Sequence, residues 1–214
     1  MGISKEKALK IVLNSSLKFK ENLENKNLMF IFLNENRLET TEVAFTKDSF
    51  LHLTGLVIDK NRLSAKNFYK KCIRKRLSIR EFNFKKDGTT YLKLSVLNKM
   101  MNIHKDARYI GEYNSSRPFL ITNTLAGDKL SVMGFQKYNT GIKPNTLLKE
   151  SISELTDDAK NIIAILRKNI EDEKYLEITY CNPKINLDIL LEKLEMSYIN
   201  ENNVVLQEVA ATEL

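Results

Sequence analysis

Apolar and polar residues recur along this chain with two different periods, and each period predicts a different kind of element. Near the amino terminus Ser4 is placed to cap a helix whose apolar face is Ala8, Ile11, Val12, Phe19 and Leu23, at the three-and-four spacing of an amphipathic element. Six apolar residues in a row, 28–33, are bounded by Asn34-Glu35-Asn36 and followed by a Thr-, Val- and Phe-rich stretch, 37–45. Together these predict a β-hairpin. After Thr46-Lys47-Asp48 comes Phe50-Leu51-His52-Leu53-Thr54-Gly55. Read as extended chain, it sends Leu51 and Leu53 to one side and Phe50, His52 and Thr54 to the other, with Gly55 turning the chain.

A second helix is predicted from Ser64, with Ala65, Phe68, Tyr69, Cys72 and Ile73 on one stripe and basic residues on the other faces. A stripe at that spacing assigns Phe68 and Tyr69 to packing. A third helix, 91–101, presents Leu94, Leu97 and Met101, and His104 follows it in what reads as an exposed loop. Strands are predicted at 109–113, 119–125 and 130–135, the last two joined by a turn at 126–129, with a further strand at 144–149. A second hairpin joins 162–168 to 175–180. Strict alternation there puts Ile163, Ile165 and Arg167 on one face and Ile162, Ala164, Leu166 and Lys168 on the other, so one cation shares a face with apolar neighbours. Asn186 is placed to cap a closing helix with Leu187, Leu190, Leu191 and Leu194 inward.

These elements predict an α+β fold, helices packed on a central antiparallel β-sheet. The expected organisation is an amino-terminal packing helix (1–26), an α+β domain (27–182), and a carboxyl-terminal helix with an acidic tail (183–214). At 214 residues and 43% hydrophobic content the chain can bury one real core. No stretch approaches the roughly 20 uninterrupted apolar residues of a membrane span, and no signal-peptide pattern opens the chain, so a cytoplasmic protein without membrane contact is expected. Cys72 and Cys181 are too few for a disulfide framework and lack ligand spacing; both are expected reduced.

Charge divides the chain. Residues 150–214 carry six Lys/Arg against fourteen Asp/Glu, a balance of −8, which leaves 1–149 at +15. Within the basic part, 59–86 alone holds eleven Lys/Arg and two acids, a density that attracts phosphate backbones. Lys66, Lys70, Lys71, Arg74, Lys75, Arg76 and Arg80 are therefore the candidate nucleic-acid contacts. A solvated helix face in a Lys- and Asn-rich protein is the plainer alternative.

Motif scanning excludes more than it finds. The chain has no GxxxxGK[ST], no GxGxxG, no HExxH and no GxSxG, which argues against nucleotide-dependent and zinc-hydrolytic chemistry; no cofactor and no metal site is expected. His52 is the best candidate for general acid/base work, because an imidazole exchanges a proton near neutral pH. The competing reading is a packing histidine satisfied by backbone hydrogen bonds. Arg117 before Pro118, and Lys137 with Tyr138 just past a predicted strand end, sit where polar side chains reach a cleft, with ordinary surface as the alternative.

The Phe50-Leu51-His52-Leu53-Thr54-Gly55 block, followed by Ser64-Ala65-Lys66-Asn67-Phe68-Tyr69, resembles the phage-associated barnase/EndoU/colicin/RelE-like nuclease group; Ile110-Gly111-Glu112-Tyr113 and Met133-Gly134-Phe135 are compatible with it. The resemblance spans roughly 27–182. It implies a small metal-independent ribonuclease of a phage or mobile element, of toxin or host-conflict type, with helices on an antiparallel sheet. Metal-free RNA cleavage needs a base for the 2′-hydroxyl, a cation beside the phosphate and an acid for the departing 5′-oxygen. Only His52 lies in a matching block and takes a role from it, as base or acid. Lys137, Arg117, Arg167 or Lys168 are candidates for the cation, and Thr54 or Tyr138 for a hydrogen bond to phosphate. The expected partner is RNA or another nucleic acid, with a host target or neutralising protein as a second kind of partner. The alternative function is a catalytically inactive relative that binds nucleic acid or a host protein as an inhibitor.

Overall fold

The computed structural model describes residues 2–35, 37–115, 120–175 and 177–185, together with the short strand at 205–206. Helix α1 (Lys5–Asn22) begins where Ser4 Oγ accepts from the Lys7 amide, and it buries Ala8, Val12 and Phe19. Strands β1 (Lys26–Asn34) and β2 (Arg37–Phe45) form the predicted hairpin, paired antiparallel from Lys26–Phe45 to Asn34–Arg37. The six-residue apolar run is explained by burial on both faces of β1. Leu28, Phe30 and Phe32 enter the main core with the helices, while Met29 and Ile31 enter a second cluster with Leu166, Tyr175 and Ile178.

The largest departure from the sequence reading is at 50–55, which is helical. Helix α2 (Ser49–Thr54) buries Phe50, Leu51, Leu53 and Thr54 and leaves His52 exposed. Over six residues so short an apolar pattern fits a period of 3.6 as well as a period of 2, and burial on three sides decides for the helix. Gly55 is its stop, in the left-handed conformation at φ 67° that glycine adopts without strain. A short strand β3 (Leu56–Val57) follows, then α3 (Ala65–Ile73), capped by Ser64 Oγ as predicted, with Phe68, Tyr69 and Cys72 inward. Phe19, Phe50, Phe68 and Tyr69 form one aromatic cluster that locks α1, α2 and α3 together, with the Phe19–Phe50 centroids 5.2 Å apart. Strand β4 (Asn83–Phe84) pairs with β3 and leads into α4 (Thr89–Met100) and α5 (Ile103–Asp106).

The remaining strands are β5 (Tyr109–Glu112), β6 (Thr124–Gly127), β7 (Val132–Tyr138), β8 (Gly141–Leu148), β9 (Lys160–Asn169), β10 (Glu177–Cys181) and β11 (Val205–Leu206), with α6 (Ile152–Leu155) before β9. The order β1-β2-β8-β7-β6-β5-β9 returns to its start, because β9 pairs with β1. All neighbours in this ring are antiparallel except β2 and β8, which meet in parallel at Val43–Ile142. β10 pairs with β9 antiparallel, and β11 with β10 in parallel.

Several smaller expectations are corrected. β6 starts at Thr124 and runs through Gly127, so the turn moves to 128–131, where Asp128 Oδ1 accepts from the amides of Leu130 and Ser131. Lys137 and Tyr138 end β7 rather than following it. A register shift in β1–β9 between Ile31 and Phe32 breaks the alternation, so Ile162 joins Ile165 in the main core while Ile163 joins Ala164 and Leu166 in the second cluster. His104 is buried within α5, not in an exposed loop. The closing helix expected from Asn186 lies outside the described residues.

Candidate active site

Two helices build the surroundings of His52. α2 presents the imidazole outward, and α4 docks against the carboxyl end of α2 through two residues one turn apart. Thr90 Oγ1 donates to the Gly55 carbonyl at 2.8 Å and accepts from the Lys85 amide at 2.9 Å. Lys93 lays its aliphatic stem across Gly55, where a Cβ would come within 2.8 Å of Lys93 Cδ, and its Nζ donates to the His52 carbonyl at 3.4 Å. Glycine at 55 is thus needed twice, for its positive φ and for the lysine that passes over it.

Three lysines and one aspartate set the field at the ring. Partial shielding of the ring comes first, then the ammonium charges of Lys93 and Lys60, in holding the His52 pKa below the ordinary histidine value; Lys85 adds to them and Asp48 opposes them. The imidazole is therefore largely neutral at pH 7 and able to accept a proton. Lys93 is only 8% exposed, and burial, reinforced by Lys85 and opposed by Asp87, brings its pKa down to about 8. Reading the 91–101 helix for its leucines alone misses this residue. The signal is present in the letters, since Thr90, Lys93, Leu94 and Leu97 share one helical stripe, and a lysine on an apolar stripe has to be accounted for.

The other site expectations disperse. Thr54 is fully buried, its hydroxyl donating to the Leu51 carbonyl at 2.8 Å and accepting from the Leu56 amide at 3.1 Å, so it shapes the end of α2 and is not open to a phosphate. Lys168 sits over the Tyr175 ring at 5.0 Å and donates to the Glu173 carbonyl. Arg167 is held by Glu177 through two bonds, Nε at 2.5 Å and Nη2 at 2.6 Å, which takes it out of consideration as a free cation. Lys137 and Tyr138 are exposed at the end of β7, the Tyr138 hydroxyl donating to Gln136 at 2.8 Å. Arg117 lies outside the described residues. The cations whose charge reaches His52 are Lys93, Lys60 and Lys85, none of them among the four expected.

Lys66 and Lys70 on α3, which packs against α2, and Arg74, Lys75, Arg76 and Arg80 beyond its end are exposed. Lys71 is instead paired with Glu81. Arg76 N–H donates to the Lys71 carbonyl and Lys75 N–H to the Cys72 carbonyl, a helix ending that puts Lys75 at φ 53° and fans three basic side chains beyond the last turn. A separate cleft of about 550 Å³ opens between the β1–β2 hairpin and β5, but Glu39, Glu112, Asp157 and Asp158 line it against a single Lys160, a field that repels phosphate. Among the described residues no group of three or more His, Cys, Asp or Glu is placed to share a metal ion, and no helix is long and apolar enough to cross a membrane.

The family model of the phage-Barnase-EndoU-ColicinE5/D-RelE like nuclease 4 proteins matches residues 11–184. The chain belongs to this family. The matched region runs from within α1 to just past β10, so this nuclease-like family takes in α2, α4, the basic α3 and the whole ring of strands. No curated protein and no solved structure matches the chain.

Proposed function

We propose that this nuclease-like protein cleaves RNA by internal transesterification at His52, as a toxin or host-conflict enzyme of a phage or mobile element acting in the cytoplasm. The observation that carries the reading is a solvent-facing imidazole, kept mainly neutral, in a field of three lysine charges. His52 takes the 2′-hydroxyl proton, the 2′-oxygen attacks phosphorus, and the bond to the 5′-oxygen breaks. The fragments end in a 2′,3′-cyclic phosphate and a 5′-hydroxyl, whose proton comes from solvent water while His52 returns its own to solvent. The exposed cations of α3 and Arg80 hold the flanking backbone through charge alone, so binding weakens steeply with salt.

The test is cleavage of RNA by purified protein in EDTA, with end-group analysis, beside His52→Ala and a DNA strand of the same sequence. Cyclic phosphate ends from the wild type, loss of cleavage in His52→Ala and an uncut DNA strand support the reading. Cleavage by His52→Ala at the wild-type rate, or cutting of DNA, would refute it. RNA bound in a salt-dependent way and left intact identifies the inactive nucleic-acid-binding relative instead.

A further inference from the structure

Three partly shielded cations of this fold are matched by acids or by several acceptors, and the more deeply buried Lys93 is not. Arg167 has Glu177 and the Asn22 carbonyl; Lys5 Nζ has the carbonyls of Ile79 and Phe82 and the Asn83 side chain; Lys99 has Asp128. Lys93, more buried than any of these, forms no ion pair among the described residues and makes one long bond to a carbonyl. An ammonium removed from water without an anion is costly, and a folded chain rarely keeps one without a use for it. The charged groups around it do not cancel the charge: His52 on α2 is mainly neutral, Lys85 repels, and Asp87 acts without contact. The docking of Thr90 on Gly55 and the passage of the stem across Gly55 fix the amine at residue 52.

We propose that Lys93 is a second catalytic residue of this site: its ammonium contacts the phosphate that is being cleaved beside His52, and that phosphate is the counter-ion that none of the described residues supplies. The inference rests on the RNA-cleavage reading. It assigns to Lys93 the stabilisation of negative charge that grows on the phosphoryl oxygens as the 2′-oxygen attacks, a role in which a fixed charge in a shielded site is most effective. The bland alternative is a lysine that merely caps the carboxyl end of α2.

Lys93→Met and Lys93→Arg separate the two. Lys93→Met is expected to lose at least about 100-fold in kcat on RNA, whereas Lys93→Arg retains most activity. Wild-type kcat/KM, which reports the free protein, should fall on the alkaline side around the point where Lys93 gives up its proton, near pH 8, and Lys93→Arg should stay active to higher pH, because a guanidinium remains charged. A kcat for Lys93→Met within about threefold of wild type, or an alkaline limb unchanged in Lys93→Arg, overturns the assignment; both lie far short of the loss a charge-stabilising group should show. Should the variants fold poorly, the wild type still decides. Titrating its labelled lysine amines by NMR with a 2′-deoxy oligonucleotide should raise the Lys93 titration by at least about one pH unit, and no movement refutes contact. If the wild type yields no cyclic phosphate ends, the RNA reading falls and this inference with it. If His52→Ala is dead and Lys93→Met is not, only the inference falls.

Discussion

Replacing Lys93 with methionine should make the protein more stable at neutral pH while removing its activity. Lys93 titrates near 8 in the folded chain against an ordinary 10.5. At about 1.4 kcal/mol per pH unit, that difference is a penalty of about 3 kcal/mol carried by the folded state. The sign follows from proton counting. Below pH 8 both folded and unfolded chains hold the proton, and the full cost of the buried charge is present. Between pH 8 and 10.5 the unfolded chain holds it and the folded chain does not, so the penalty shrinks as pH rises; above 10.5 neither is charged and the penalty has gone. Methionine keeps the length of the stem over Gly55 and forfeits only the 3.4 Å bond to the His52 carbonyl, a loss of about 1 kcal/mol. The net expectation is a gain of about 2 kcal/mol at pH 7, or roughly 4–8 °C in Tm for a chain of this size. Urea unfolding followed by circular dichroism at pH 7 and again at pH 10.5 measures it. A Lys93→Met protein less stable than wild type at pH 7, or one whose advantage is the same at both pH values, would show that the ammonium is well accommodated and that the argument from its isolation is wrong.

Three further outcomes can be checked with the same methods. His104 is buried at 3% exposure with no hydrogen-bond partner for Nδ1 among the described residues, and burial, with Arg167 and Lys105, takes its pKa down to about 3. Its contribution is intact above pH 6.5 and is lost as pH falls toward 3, at up to about 1.4 kcal/mol per pH unit, so urea midpoints for His104→Phe should fall less steeply with acid than those of wild type. Gly55→Ala forces a left-handed alanine, at about 1 kcal/mol or more, and displaces the Lys93 stem; its kcat on RNA should drop more than its Tm shift accounts for. Neutralising Lys66, Lys70 and Arg74 together should lower RNA affinity while reducing the slope of log K against log salt by about one for each phosphate left without its cation, and an unchanged slope would remove α3 from the interface.

Much of the architecture is legible in local pattern, because α1, α3, the β1–β2 hairpin and the β9–β10 hairpin each declare themselves by a cap, a period or a turn. The closing of the ring is not, since nothing near Val43 or Ile142 announces their parallel meeting across the chain. At the site, the letters single out His52 but point to the wrong element around it. Six residues are too few to tell the periods apart, and the left-handed Gly55 serves equally as a strand-end turn and a helix stop. The expected cations include two on a strand end, where Arg167 is held by Glu177 and Lys168 by the Tyr175 ring. The one beside His52 lies instead on a helix stripe, where a polar exception among leucines is visible in the letters but its direction depends on what the helix packs against.

The ring of strands also bears on synthesis. His52 and Lys93 both leave the ribosome early, yet α2 and α4 rest on β8, and the sheet that carries β8 closes only when β9 pairs with β1, some 130 residues upstream. Contacts so distant along the chain form late. A chain built this way completes the surroundings of His52 only after most of its length has left the ribosome.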